Sequence, residues 1–417
     1  MKLQPPPHRA TTGHLQAAYP FLTDLGIGYD GPYLGRDLLG GGPFCFDPWA
    51  LYRAGVLTNP NVIVVGQIGR GKSTFVKTYL WRQLAFGRNS WVLDPKGEYG
   101  VLAEAVGVTP LTIKPGGGIR LNPVDVPSRP DSWDELLDMS RQRADMVCSL
   151  TESSLKRSLS PAERTAADLA VRSAVAGCEH PTLGDVVAVL LDPPADLAAT
   201  VRCDRATLAH DGRSVALELR RLVEGDLAGM FDGPTSAPID LSAPLVVLDL
   251  SDVYASAALP LVITCATAWM RSLLTGSARA RRILVIDEAW AVLHDVAAGR
   301  WLQATFKLSR SLGMSNVAVV HRVSDLRAAG DDGSVQQRIS EGLLPDAEVR
   351  VIFGQPPSEA ARTAELLALS ATERDAVAHL ARGVALWKVG QRSFLVEHTV
   401  GGSEVALVDT DTAMRQA

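Results

Sequence analysis

The chain has 417 residues, 47% of them hydrophobic and 21% charged, a globular composition long enough for more than one compact unit and unlike that of a disordered chain. A formal net charge of −5 excludes a surface built to coat duplex DNA through many phosphate contacts, although a few arginines on one face still make a local field. Five cysteines (Cys45, Cys148, Cys178, Cys203 and Cys265) fall in no C-x-x-C spacing, so they read as buried thiols in a reducing cytosol.

In chain order, residues 1–58 are rich in Gly and Pro and read as an irregular lead-in with one short hairpin. The first residues carry three consecutive prolines and no apolar core, so no signal peptide is expected. From 62 the pattern is strand, loop, helix, strand: VIVV at 62–65, a helix from about 73 to 86, WVLD at 91–94, then a polar return through KPGGG to LNPVD at 121–125. Between 132 and 224 strand-like runs nearly vanish. Apolar residues recur there at helical spacing, as in Val215, Leu219 and Leu222, among many Arg, Asp and Glu. Strands then resume: LVVLDL at 245–250, ILVID at 283–287, NVAVV at 316–320 and VRVIF at 349–353. ALWKV and SFLVE form a hairpin around Gly390, expected to close the C-terminal edge. The uncharged stretch 253–270 contains Pro260, several alanines and three aliphatic hydroxyls, and reads as a helix buried beside a sheet rather than a membrane span.

This alternation predicts an α/β fold with a mostly parallel sheet covered by helices. The expected division is a lead-in over 1–58, an ATPase core over 59–130 and 241–417, and an inserted all-α subdomain over 131–240.

The segment VIVVGQIGRGKST matches G-x-x-x-x-G-K-[ST] at Gly66, Gly71, Lys72 and Ser73, between an apolar strand and a helix. Glycines, Gly69 among them, let successive amides point inward at phosphate oxygens, and the helix start favours the same anion. Lys72 is expected to reach the β- and γ-phosphates, Ser73 to bind magnesium, and Thr74 to touch the α-phosphate. The glycines do not fit G-x-G-x-x-G, which excludes a dinucleotide fold. In ILVIDEAW, Asp287 stands at the end of an apolar strand, where open α/β sheets present ligands, and is expected to hold Mg2+ through water. Glu288 beside it is expected to polarise the attacking water. Small-molecule kinases lack this Asp-Glu pair, so the pair favours an ATP hydrolase.

The order GQIGRGKST, WVLDPKGEYG, ILVIDEAW and NVAVVHRVSD resembles the TraC (VirB-four) ATPases of type IV secretion, within the HerA/FtsK-like motors. The resemblance spans roughly residues 20–400. Its most telling part is the D-P-x-G-E-Y motif, carried by Asp94, Pro95, Gly97, Glu98 and Tyr99; LNPVD and GMFDGP (229–234) are also similar. It implies a RecA-like P-loop motor, ATP and Mg2+ bound between subunits of a homo-oligomer (a hexamer), and work at the cytoplasmic face of a conjugation or secretion channel. The implied partners are channel subunits, coupling proteins and DNA, with peripheral membrane association through those partners.

Two departures stand out. The family carries a large domain before the motor, whereas about sixty residues precede this loop, so the docking function of that domain is expected to be absent or supplied by another chain. Where the family has Thr-Gln, this sequence has His321 and Arg322; Arg322 then either senses the γ-phosphate by charge or forms a structural salt bridge. Arg350, in VRVIF, resembles the segment that supplies an arginine across FtsK-like subunit boundaries and is the first candidate for that role, with Arg310 second. Asp94 and Glu98 either support the magnesium site or cap a strand end. The resulting expectation is an ATPase powering conjugative DNA transfer or type IV secretion. The alternatives are a soluble HerA-like translocase or helicase, and a nucleotide-controlled scaffold with little turnover.

Overall fold

The computed structural model describes residues 26–125, 133–225, 227–236, 243–254, 258–274, 281–327 and 334–408, together with Thr11 and Ser256. Its strands are β1 (Tyr33–Asp37), β2 (Pro43–Cys45), β3 (Val62–Val65), β4 (Asn89–Asp94), β5 (Leu111–Thr112), β6 (Leu245–Asp249), β7 (Arg282–Ile286), β8 (Met314–Val320), β9 (Val349–Phe353), β10 (Val384–Val389) and β11 (Arg392–His398). They join in one sheet ordered β2-β1-β11-β10-β9-β3-β8-β7-β4-β6-β5. From β9 to β5 the strands run parallel, and β10, β11, β1 and β2 extend the sheet antiparallel. The mostly parallel, helix-covered sheet expected from the sequence is therefore the observed fold.

Parallel strands covered on both faces must be apolar throughout, and every residue of β3, β7 and β8 is buried. Alternate residues feed two cores. Ile63, Val65, Trp91, Leu93, Leu284 and Ile286 pack on one face; Val62, Val64, Val92, Ile283 and Val285 pack on the other. The helix Lys72–Leu84 covers the second face through Phe75, Val76, Tyr79 and Leu80. The first face is covered by Leu259–Leu274 and Val296–Lys307. No helix among the described residues is long and apolar enough to cross a membrane.

Between β5 and β6 stand five helices: Trp133–Leu155, Pro161–Gly177, Leu183–Leu191, Ala195–Thr200 and Arg205–Glu224. Their starts are set by side chains. Ser160 and Glu163 form one reciprocal cap, Thr182 and Asp185 another, and Asp204 accepts from the Thr207 amide. This insertion has no core of its own, because its buried residues (Val171, Val186, Val215 and Leu219 among them) are continuous with the first face of the sheet. Its entry and exit segments are laced together: the Leu121 amide donates to the Met230 carbonyl, and the Asn122 amide to the Thr235 hydroxyl. LNPVD and GMFDGP are thus neighbours in space.

Two expectations need correction. The lead-in does hold a short hairpin, β1 with β2, but that hairpin belongs to the central sheet and Pro48–Arg53 is a helix capped by Asp47, so the segment is not otherwise irregular. For the same reason the β10–β11 hairpin does not close an edge: β1 pairs with β11, Gly35 opposite His398. A Cβ on Gly35 would lie 2.0 Å from the Glu397 carbonyl oxygen, so the glycine that made this segment look irregular is what lets the strands approach.

Candidate active site

The phosphate loop runs from the end of β3 to the helix Lys72–Leu84. Gly66 is required by close approach, because a Cβ there would meet the Phe353 Cβ at 2.5 Å. Gly69 and Gly71 adopt φ of +77° and +106°, and Gly71 is the helix N-cap, so the first-turn amides have no intrahelical partners. The loop is fastened on its β9–β10 side, where the Gly383 amide donates to the Arg70 carbonyl (3.0 Å) and the Gln67 amide to the Gly354 carbonyl (3.4 Å). Lys72 is buried, and its Nζ donates to the carbonyls of Gly66 and Gln67. Burial lowers its pKa to about 8, with the charges of Glu288 and Asp287 working against that shift. Ser73 and Thr74 lie half-buried in the first helical turn.

Two strands away, β7 ends at Ile286 and delivers Asp287 and Glu288. Asp287 accepts from the Tyr99 hydroxyl (3.1 Å) and the Glu288 amide (2.9 Å). Burial, reinforced by the charges of Glu288, Glu98 and Asp94, pushes it up to about 6. Glu288 takes φ +50°, ψ +46°, a left-handed conformation that an L-residue holds only when its surroundings impose it. Both its carboxylate oxygens are occupied. Oε1 meets His321 Nε2 (2.7 Å) and Lys96 Nζ, and Oε2 accepts from the Trp290 indole. Burial pushes the Glu288 pKa up, but the hydrogen bonds from His321, Lys96 and Trp290 outweigh it and hold the carboxyl at about 2.

His321 follows β8 and links the two halves of the site. Its Nδ1 lies 3.1 Å from Lys72 Nζ while its Nε2 meets Glu288. The structure therefore joins Gly66, Gly71, Lys72, Asp287 and Glu288 at the carboxyl edge of the parallel strands, as an open α/β sheet requires.

Other sequence candidates surround these residues or stand apart from them. Asp94 accepts through both oxygens from the amides of Lys96, Glu98 and Tyr99, which holds the DPKGEY loop. Glu98 is half-buried beside it and acts on Asp287 by charge. Arg322 is exposed, with its amide on the Asp325 carboxylate; the side chain in the site is His321, one residue earlier. Arg350 is not at the site. It pairs with Ile63 near the start of β9, at the opposite end from the phosphate loop, and donates to the Leu367 carbonyl of its own chain. The half-buried guanidinium is thus placed away from its own chain's phosphate loop. Sequence reasoning missed Tyr99, Lys96 and His321, although the first two lie inside the DPKGEY motif and the third at a strand's carboxyl end.

Comparison with solved structures places this geometry. VirB4 of Thermoanaerobacter pseudethanolicus superposes over 91% of this chain and 99% of its own, with a TM-score of 0.72 and 22% identity. The chain has the VirB4 fold. The bacterial conjugative coupling protein TrwB, in its unbound monoclinic form, matches over 94% of this chain and 92% of its own (TM-score 0.57, 16% identity). The plasmid coupling protein TrwB in complex with ADP and Mg2+ matches over 95% of each chain (TM-score 0.55, 16% identity). No family model matches the sequence, and no curated protein does.

In this VirB4 fold the residues at the loop fit a nucleoside triphosphate with magnesium. Gly66 has no room for a side chain, the helix start offers unpaired amides, and a buried lysine and a buried carboxylate converge from β3 and β7. Among the described residues no group of three or more His, Cys, Asp or Glu could hold a metal. Magnesium at a nucleoside triphosphate is held by one or two protein oxygens, phosphates and water rather than by an all-protein cage.

Proposed function

We propose that this chain is an ATP hydrolase of the VirB4/TraC kind, an oligomeric motor that powers conjugative DNA transfer or type IV secretion. The observation that carries the reading is the triad Lys72–His321–Glu288, which sets a phosphate-binding ammonium and a general base on the two nitrogens of one imidazole. The fold shared with VirB4, and with a TrwB solved bound to ADP and Mg2+, supports it. Attachment to the inner face of the membrane through channel partners belongs to the same reading.

The first-turn amides and Lys72 grip the β- and γ-phosphates. The Ser73 hydroxyl and Asp287 would hold magnesium, which would supply positive charge against that building on the leaving group. Glu288 takes a proton from water. The water oxygen bonds to the γ-phosphorus as the bond to the β–γ bridging oxygen breaks, which leaves ADP and inorganic phosphate. Tyr99 orients Asp287 by its hydroxyl.

Purified full chain is expected to hydrolyse Mg-ATP. Lys72→Ala should lose both binding and turnover, whereas Glu288→Gln should bind ATP and lose turnover by several orders of magnitude. Hydrolysis unchanged in both variants would refute the site. One observation favours a second reading, a scaffold whose ATP controls assembly with little turnover: both oxygens of Glu288 are already engaged. Turnover near zero in the assembled oligomer at saturating ATP would decide for it.

A further inference from the structure

The turn after β4 brings a second lysine to this site. Asp94 fixes the turn by accepting from the amides of Lys96, Glu98 and Tyr99, and the Lys96 ammonium reaches Glu288 Oε1 and lies 3.4 Å from His321 Nε2. His321 Nδ1 is in turn 3.1 Å from Lys72 Nζ, so the two lysines flank one imidazole. The pair Lys96–Glu288 is unequal. The Lys96 side chain is 34% exposed on a flexible stem, whereas the Glu288 side chain is 4% exposed and also tied to Trp290 and His321. When a strong anion enters the space beside them, the lysine is the partner able to turn. An anion there is also the stronger attractor, because a terminal phosphate offers more negative charge than one carboxylate.

We propose that Lys96 is a γ-phosphate ligand supplied within the chain, paired with Glu288 while no triphosphate is bound and transferred to a γ-phosphate oxygen when one is. The transfer has two consequences. It adds a fixed positive charge where negative charge spreads over the γ-phosphoryl oxygens in the transition state. It also frees Glu288 Oε1 to receive the proton of the attacking water, so the base is released by the substrate it acts on. A nucleoside diphosphate, having no terminal phosphate in that position, leaves Lys96 on Glu288. The inference rests on the ATPase reading of the site and adds to it a means of telling ATP from ADP.

The test uses the full chain in the Glu288→Gln background, so that ATP persists during a titration and no carboxylate competes for the lysine. Mg-ATP and Mg-ADP affinities are measured by fluorescence titration for Glu288→Gln and for Glu288→Gln with Lys96→Ala. Loss of Lys96 should weaken ATP on the order of tenfold to a hundredfold, the size of a hydrogen bond between charged groups, and leave ADP within about twofold. Retained ADP binding shows that the variant is folded, and Lys96→Arg should recover part of the ATP affinity. Equal ATP binding with and without Lys96, or equal weakening of both nucleotides, overturns the proposal and leaves Lys96 as a counter-ion of Glu288. If the Glu288→Gln parent binds neither nucleotide, the ATPase reading falls instead, and this inference with it.

Discussion

Gly66 shows how narrowly the site constrains single positions. Its missing Cβ is replaced in space by the Phe353 side chain, which comes from the end of β9 and helps fix the wall behind the loop. Gly66→Ala should therefore push the loop off β9, costing about 1–3 kcal/mol in urea denaturation and weakening nucleotide binding together with it. A variant that kept wild-type stability and affinity would mean that the loop has slack the packing denies. Such positions are legible in a sequence because chemistry fixes both the residue type and the spacing: Gly66, Lys72, Asp287 and Glu288 each stand where phosphate and water demand them. Lys96, Tyr99 and His321 were not legible in the same way. They reach the site through tertiary contacts from two separate segments, the turn after β4 and the end of β8. Arg350 is the second residue of its strand, so within its own chain it stands at the end of the sheet away from the loop.

At the scale of elements, periodicity located the parallel strands because burial on both faces leaves runs such as VIVV and ILVI with no polar residue. It did not place β1 and β2, whose five and three residues include Gly35 and Pro43; β1 is held by pairing with β11, and β2 by pairing with β1, rather than by local propensity. The helical insertion was readable from its apolar spacing, and the structure adds the side-chain caps that start its helices. Those caps can be tested apart from the site. Ser160 accepts from the Glu163 amide while the Glu163 carboxylate accepts from the Ser160 amide, closing the start of Pro161–Gly177. Ser160→Ala should cost about 1 kcal/mol of global stability and leave ATP affinity unchanged. A drop in affinity of the same size would show that the insertion is coupled to the loop more tightly than its place on the first face of the sheet implies.

For the molecule as a whole, the pieces around the phosphate loop depend on a half-buried histidine kept neutral. His398, on β11, accepts from the Trp387 indole (3.1 Å) and packs against Phe75 of the loop's helix and Phe353 behind Gly66. One imidazole thus joins the antiparallel extension to the nucleotide end of the parallel sheet. Burial, with the Arg82 charge added, pulls its pKa from 6.5 to about 3. The folded value lies below the unfolded one, so the unfolded chain takes up the proton first. The stability this histidine contributes is complete above about pH 6.5 and is lost as the pH falls from there toward 3. Between pH 7 and pH 5 the loss should be about 2 kcal/mol, since one unit of pKa difference is worth about 1.4 kcal/mol. Depressed carboxylates such as Glu373, held at about 2, begin to lose their stabilisation only below their unfolded value of 4.5, so this window isolates the histidine from them. Urea denaturation of wild type at the two pH values, set against His398→Gln, reads the effect directly. The glutamine keeps an acceptor for Trp387 but has no proton to gain, and it should flatten the slope. A slope as steep in the variant as in the wild type would assign the acid sensitivity to other groups and remove His398 from the account of how the sheet's two halves hold together.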